Sequence, residues 1–306
     1  MANPEHLALL QWGTAKWDDW RFHSPTVQPD LSHADLSGFD LSFVDLSHAN
    51  LEGATLVQTC LRAAKLDGAD LSKARLTQCD LTGASCIAAR LAVTSAVGIT
   101  MANANLSNAN LIGADFRSAN FRGADLNSAN LVGANLFRAN LREVDLSHAQ
   151  LEQATLIQAN CLDAHLNEVN FKKATLHETE FMGTRLYAVD CSHASLKGAH
   201  LTGAYLYNVV FRAADLSETD LRWSTIIKAD FTYARLSGTN LRGAVLNRTV
   251  FAHTDLRHAN IQETSASYLD LTDAHLPEEA HPFQRTDEDM GLSENFGSLY
   301  SPSNNP

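Results

Sequence analysis

One frame of five residues runs without a slip from Leu31 to Leu276 and leaves this chain few ways to fold. Every fifth position is Leu, Phe, Ile, Met or Cys, with only Ala96 and Ala266 as small exceptions. Two residues before each stands a small or β-branched residue, usually Ala, as at Ala34, Ala49, Ala54, Ala104 and Ala274. The residue between them is polar, most often Asp or Asn. The last two positions are mostly Ser, Gly, Arg, Glu, His or Asn.

A period of five rules out ordinary packing. On an α-helix it would scatter the leucines around the whole cylinder. On a continuous strand it would send alternate leucines to opposite faces. Ala and Leu two apart do share one face of a short extended stretch. A bend of fixed sense after each triplet keeps that face inward, and Ser, Gly and Asn suit such a bend. The expected solution is a coil around a packed Leu/Ala axis, its turns paired like strands about 4.8 Å apart.

Ala-Asp-Leu-Ser-Gly (34–38), Ala-Asn-Leu-Ser-Asn (104–108) and Ala-Asn-Leu-Val-Gly (129–133) resemble the pentapeptide-repeat proteins, over residues 30–276. The resemblance implies an all-β fold, a right-handed quadrilateral β-helix with four repeats to a coil. About twelve coils would give a rod on the order of 60 Å long. The domain reading is an N-terminal helical cap (1–28), the β-helix (29–276) and an acidic C-terminal tail or cap (277–306). On a four-sided coil, Phe171, Phe211, Phe231 and Phe251 fall on one inner wall as a ladder.

The motif is weakest at 92–100, where Ala96 is small and Ile99 large, the reverse of the rule. Either the two sizes are swapped within the core or a loop leaves the coil there. Solenoid ends need covers. His6 to Trp20, with Leu7, Leu10, Trp17 and Trp20, reads as one short capping helix helped by Phe39 and Phe43; a docking peptide is the alternative. After Pro277, Leu292, Phe296, Leu299 and Tyr300 keep helical spacing, but Gly291 and Gly297 weaken a helix. Cap, dimer contact and disordered tail all remain open there, and an uncapped last coil favours an end-to-end homodimer.

The expected function is non-catalytic. No phosphate loop, nucleophile elbow or metalloprotease motif occurs, so no catalytic residue, cofactor or metal is assigned. Cys79, Cys86, Cys161 and Cys191 take inward slots and Cys60 a polar one, with no paired-cysteine metal spacing. Most acidic residues of the repeats are the motif's own middle residue, expected to bond the backbone of the bend. No apolar run reaches the ~18 residues of a membrane span. The start Met-Ala-Asn-Pro-Glu-His does not read as a signal peptide, so the cytoplasm is the expected location and no membrane partner is assigned.

What remains is the outer surface. A net charge of −12 argues against direct nucleic-acid binding. Some members of the resembled family mimic DNA and protect or inhibit DNA gyrase, which makes a DNA-mimicking regulator of a topoisomerase the alternative function. Over 29–276, however, 26 acidic and 20 basic residues leave only −6. Arg122, Arg142, Arg222 and Arg242 would also form a basic wall, the wrong sign for a mimic. On the wall of repeats 186, 206 and 226, Tyr187, Tyr207 and Ile227 take outward slots one coil apart. Tyr205 faces out beside them and Trp223 stands at the adjoining corner. Phe137 and Ile157 form a smaller outward pair elsewhere. Exposed aromatic clusters favour protein contact, although large residues can also simply cover neighbouring backbone. The first reading is therefore a scaffold or protein-binding module for an unidentified protein partner.

Overall fold

The computed structural model describes residues 1–277. Each middle residue pairs in parallel with the middle residue twenty positions on: Asp30 with Asn50, Asn50 with Asp70, and so to Asp255 with His275. Four repeats therefore close one turn, and the chain is a four-sided parallel β-solenoid, as the sequence implied.

The repeat 49–53 shows why the register is so strict. Ala49 donates to Leu46 across the bend (3.0 Å), Asn50 to Pro29 one turn back (2.8 Å) and Leu51 to Asp70 one turn on (2.7 Å). Gly53 donates to Ser72 of the next turn (2.9 Å). Only the amide of Glu52 finds no backbone acceptor, and the Asn50 side chain takes it at 3.1 Å. The same side-chain bond recurs at Ser37 to Asp35, Ser72 to Asp70, Val132 to Asn130 and Thr272 to Asp270. Asp and Asn dominate the middle slot because they accept at this distance where longer side chains do not. The second corner residue is left-handed at nearly every bend, as at Gly53 (φ 65°) and His33 (φ 57°). For non-glycine residues that conformation costs about 1–2 kcal/mol each, which the backbone ladder between turns and the buried axis offset.

One wall departs from this scheme. Short strands β1 (His165–Asn167), β2 (Arg185–Tyr187), β3 (Tyr205–Tyr207), β4 (Thr225–Ile227), β5 (Val245–Asn247) and β6 (Ser265–Ser267) form a parallel sheet in that order. Its middle residues are His165, Arg185, Tyr205, Thr225, Val245 and Ser265, with neither Asp nor Asn among them. No side chain there claims the first corner residue, and that residue joins the ladder instead.

The axis is filled by the large and small inward residues, nearly all fully buried. Phe211, Phe231 and Phe251 stack at 4.9 and 5.0 Å along one wall, as the spacing implied. Phe171 is separated from them by Cys191 and meets Phe181 edge-on at 6.4 Å instead. At most places where Thr replaces Ala, its hydroxyl bonds the carbonyl of a large inward residue one turn back, as Thr59 does to Leu36 (2.8 Å) and Thr219 to Leu196 (2.9 Å); Thr184 bonds Phe181 of its own turn instead (2.6 Å). A buried hydroxyl with a partner loses little of its burial cost. Residues 92–100 stay in the coil: Ser95 bridges Asp115, and Ala96 and Ile99 are both fully buried. The size swap is the correct alternative, and no loop leaves the coil.

The N-terminal cover is two helices rather than one. Helix α1 (Pro4–Gln11) starts at Asn3, whose side chain accepts the Glu5 amide, and α2 (Thr14–His23) follows Gly13, which breaks the path at φ 104°. Trp17 is fully buried and donates its indole N–H to the Asp45 carbonyl (2.8 Å). Arg21 donates to Ser47, and His6 accepts the Asp30 amide (3.0 Å). These side chains stand in for the missing turn on two sides of the first coil. Phe39 packs partly against the core, but Phe43 is exposed and takes no part in the cover. The dimer, cap and tail readings for the C-terminus lie outside the described residues.

The swap at 96 and 99 should behave as one unit. Ile99→Ala should cost about 2–5 kcal/mol in chemical denaturation, and Ala96→Leu alone should also destabilise by overpacking. The double variant should recover most of the loss; additive losses would contradict the paired core. The buried thiols give a second check. Burial pushes Cys79 and Cys86 up to about 12 and raises Cys161 and Cys191 as well. In the native chain a thiol reagent at neutral pH should label only half-buried Cys60 promptly, with five thiols counted after denaturation.

Candidate functional site

The β1–β6 wall presents two outward rows. In one, Tyr187, Tyr207 and Ile227 are in register on β2, β3 and β4. The rings of Tyr187 and Tyr207 are parallel within 2° with centroids 5.3 Å apart. Turn-to-turn spacing sets that separation, so the backbone ladder itself places the rings in stacking range. In the other row Tyr205 lies between Arg185 and Thr225, and Val245 follows on β5. Tyr187 is 49% exposed and Val245 also exposed, while Tyr205, Tyr207 and Ile227 are half-buried.

Trp223 does not join this cluster through any ring contact. It is a second corner residue, 56% exposed, whose backbone is left-handed at φ 57°. Its ring lies over Gly243 one turn on, where a Cβ would come within 2.1 Å of it. The sequence reading therefore combined a stacked ladder with a separate corner. Phe137 carries the Arg138 guanidinium over its ring at 4.8 Å.

Partners that the sequence reading missed sit at two spacings. Lys228 lies over the Tyr207 ring at 5.0 Å and bonds its hydroxyl at 2.8 Å. This pair is twenty-one apart, from a first corner to a second corner one turn on. Tyr233 stacks on His253 at 4.7 Å, and His253 faces Asp273 at 3.4 Å, each twenty apart. Scanning the sequence at twenty and twenty-one would have found both.

The twenty-one spacing also changes the electrostatic picture. Arg122 meets Glu143 at 2.9 Å, Arg142 meets Asp163 at 3.6 Å and Arg242 meets Glu263 at 2.7 Å, while Arg222 pairs with Asp220 at 2.6 Å. The wall read as basic from sequence is thus a row of ion pairs. A polar groove lined by Gln28, His48, Asn50, Glu52, Asp70 and Arg90 is internally matched in the same way, with Arg90 on Asp70 at 2.9 Å. Among the described residues no group of His, Cys, Asp and Glu could hold a metal, and no helix is long and apolar enough to cross a membrane.

Two of the middle carboxylates that face an arginine, Asp115 and Asp255, are held below their ordinary range. For Asp115 the Arg117 side-chain hydrogen bond is the largest cause, and for Asp255 that of Arg257 is. A lowered folded-state value means stability present above the unfolded carboxylate range and lost as pH falls through the folded one. Thermal unfolding should therefore change little from pH 7 to 5 and move to lower temperature below about pH 4. A melting temperature that rises on acidification would contradict these bonds.

Comparison with known proteins places this geometry in a family. The family model described as pentapeptide repeats (8 copies) matches successive segments from 30–62 and 59–92, then from 101–136 to 239–276. It passes over 93–100, the stretch of the size swap. Among solved structures, HetL, a pentapeptide repeat protein involved in heterocyst differentiation regulation from the cyanobacterium Nostoc, is 25% identical, with 84% of this chain and 92% of that one covered and a TM-score of 0.34. QnrB1, a plasmid-mediated fluoroquinolone resistance protein, is 18% identical over 68% of this chain and 91% of its own, TM-score 0.32. Rfr23 from the cyanobacterium Cyanothece is 20% identical over 48% and 90%, TM-score 0.20. Comparison with curated proteins gave no match. With the five-residue frame, the four-sided coil and a family model covering nearly all of 30–276, the chain belongs to the pentapeptide repeat family.

Proposed function

We propose that this chain is a non-catalytic binding module that presents its β1–β6 wall to another protein in the cytoplasm. The observation that carries the reading is the register of Tyr187, Tyr207 and Ile227 on the one wall built as a continuous three-residue ladder. Large side chains fixed by stacking lose little freedom when a partner covers them, which favours them as contact residues. Lys228 over Tyr207 adds a polar rim to the apolar row. Trp223 extends the surface around the corner rather than across the wall.

The second reading, a DNA-mimicking regulator of a topoisomerase, rests on the family and on the acidic balance of the whole chain. A mimic needs one continuous acidic wall, and the arginines of this chain alternate with carboxylates as close pairs. Mixed walls favour a protein contact that is not steered by bulk charge.

The test is affinity capture from native-host lysate with the wild-type chain beside a Tyr187→Ser, Tyr207→Ser, Trp223→Ser variant. A partner held by the wild type should be lost by the variant, since truncating buried aromatic anchors costs about 2 kcal/mol or more each. Circular dichroism should show both folded alike. Gyrase or topoisomerase subunits retained equally by both, together with an effect of the chain on supercoiling, would overturn the reading in favour of the mimic.

A further inference from the structure

The cover over the first turn is incomplete. In nearly every later turn the middle residue donates its amide to, and accepts with its carbonyl from, the turn before, and the first corner carbonyl accepts as well. On the first turn the cap reproduces most of these bonds on two sides, missing there, among the described residues, only the Ser32 carbonyl and the Asp45 amide. His6 and Asn3 serve the amide and carbonyl of Asp30 (3.0 and 2.9 Å), while Trp17 and Arg21 serve the carbonyls of Asp45 and Ser47. On the other two sides, the amides of Asp35 and Asp40 and the carbonyls of Asp35, Ser37, Asp40 and Ser42 have no bond to any described residue. Asp35, Ser37 and Asp40 are exposed, yet Leu36 and Leu41 beneath are fully covered. The cap closes the core while leaving the perimeter backbone of two sides open.

We propose that this open perimeter is a strand-addition site, and that its occupant is an extended basic segment of another protein. Unpaired edge backbone is a template for an added strand. The donors and acceptors here are spaced as one parallel tier, so the incoming segment runs in the same direction as residues 55–63 below. Charge selects its chemistry. Asp35 and Asp40 flank the two open sides, and Arg62, in register with Ser42 one turn on, is turned toward Asp80 at 3.6 Å. The half-buried Phe39 between the two sides gives the segment an apolar neighbour at the corner. Two occupants from this chain fit poorly by charge. Residues 278–306 carry six acidic residues against one arginine. A second copy meeting edge to edge would set Asp35 and Asp40 against their own counterparts.

The experiment uses the isotope-labelled full chain and a ten-residue peptide of two Ala-Lys-Leu-Ser-Gly units, followed by amide NMR and hydrogen exchange. The peptide should shift the Asp35 and Asp40 amides and slow their exchange, leaving the Asp30 amide, already held by His6, unchanged. Replacing Lys by Glu in the peptide should abolish the effect, and Asp35→Asn with Asp40→Asn should weaken binding about threefold or more, the scale of exposed charge pairs. Asp35 and Asp40 amides that stay unshifted and unprotected at saturating peptide would overturn the site. Equal binding of the Glu peptide would overturn the basic occupant. Protection already present in the free chain and lost on deleting 278–306 would overturn the external partner in favour of the chain's own tail.

Discussion

The whole structure depends on a twenty-residue backbone ladder in which one amide per repeat has no main-chain acceptor. The other amides bond within the bend or to neighbouring turns, as the repeat 49–53 shows. The remaining amide, that of the first corner residue, turns outward and is met by the Asp or Asn two residues before it. This short outward bond accounts for the Asp and Asn of the middle slot, while the apolar axis holds the coil together. Where six consecutive turns lack Asp and Asn, the freed amide joins the ladder and the wall becomes a continuous sheet. The candidate contact surface lies on that wall. Shorter runs without Asp or Asn, such as Thr55, Arg75 and Ser95, keep single bridges, so among the described residues the continuous sheet is confined to this wall.

Most of the fold was legible because period five, two inward residues and a fixed bend leave one solution. The burial of Leu31 to Leu256 followed from the spacing, and the stacking of Phe211, Phe231 and Phe251 from that spacing together with the four-repeat coil that the family resemblance implied. The swap at Ala96 and Ile99 was left undecided because removing five or ten residues as a loop would not disturb the frame. The break at Gly13 was missed because apolar residues continue across it at helical spacing. Gly13 could still have signalled it, since glycine is a weak helix former.

The surface was less legible. Reading along the chain isolates single outward residues, whereas their neighbours lie twenty or twenty-one positions away. Tyr187 and Tyr207 were found because the coil length was already implied, but Lys228 on Tyr207 and Gly243 beneath Trp223 were not. The arginines of one wall were summed as a basic stripe because their carboxylates sit on the next turn. Charge counted by wall misleads here. Charge counted by pairs neutralises the arginines of that wall, and the aromatic row stands out on another.

Amide hydrogen exchange along the full native chain tests the central claim of one unbroken ladder most directly. The account predicts slow exchange for the large inward residues from Leu31 through Leu256, including Leu91, Ala96 and Met101. Fast exchange confined to 92–100, or protection that stops at that stretch, would contradict a single continuous register and with it the fixed wall.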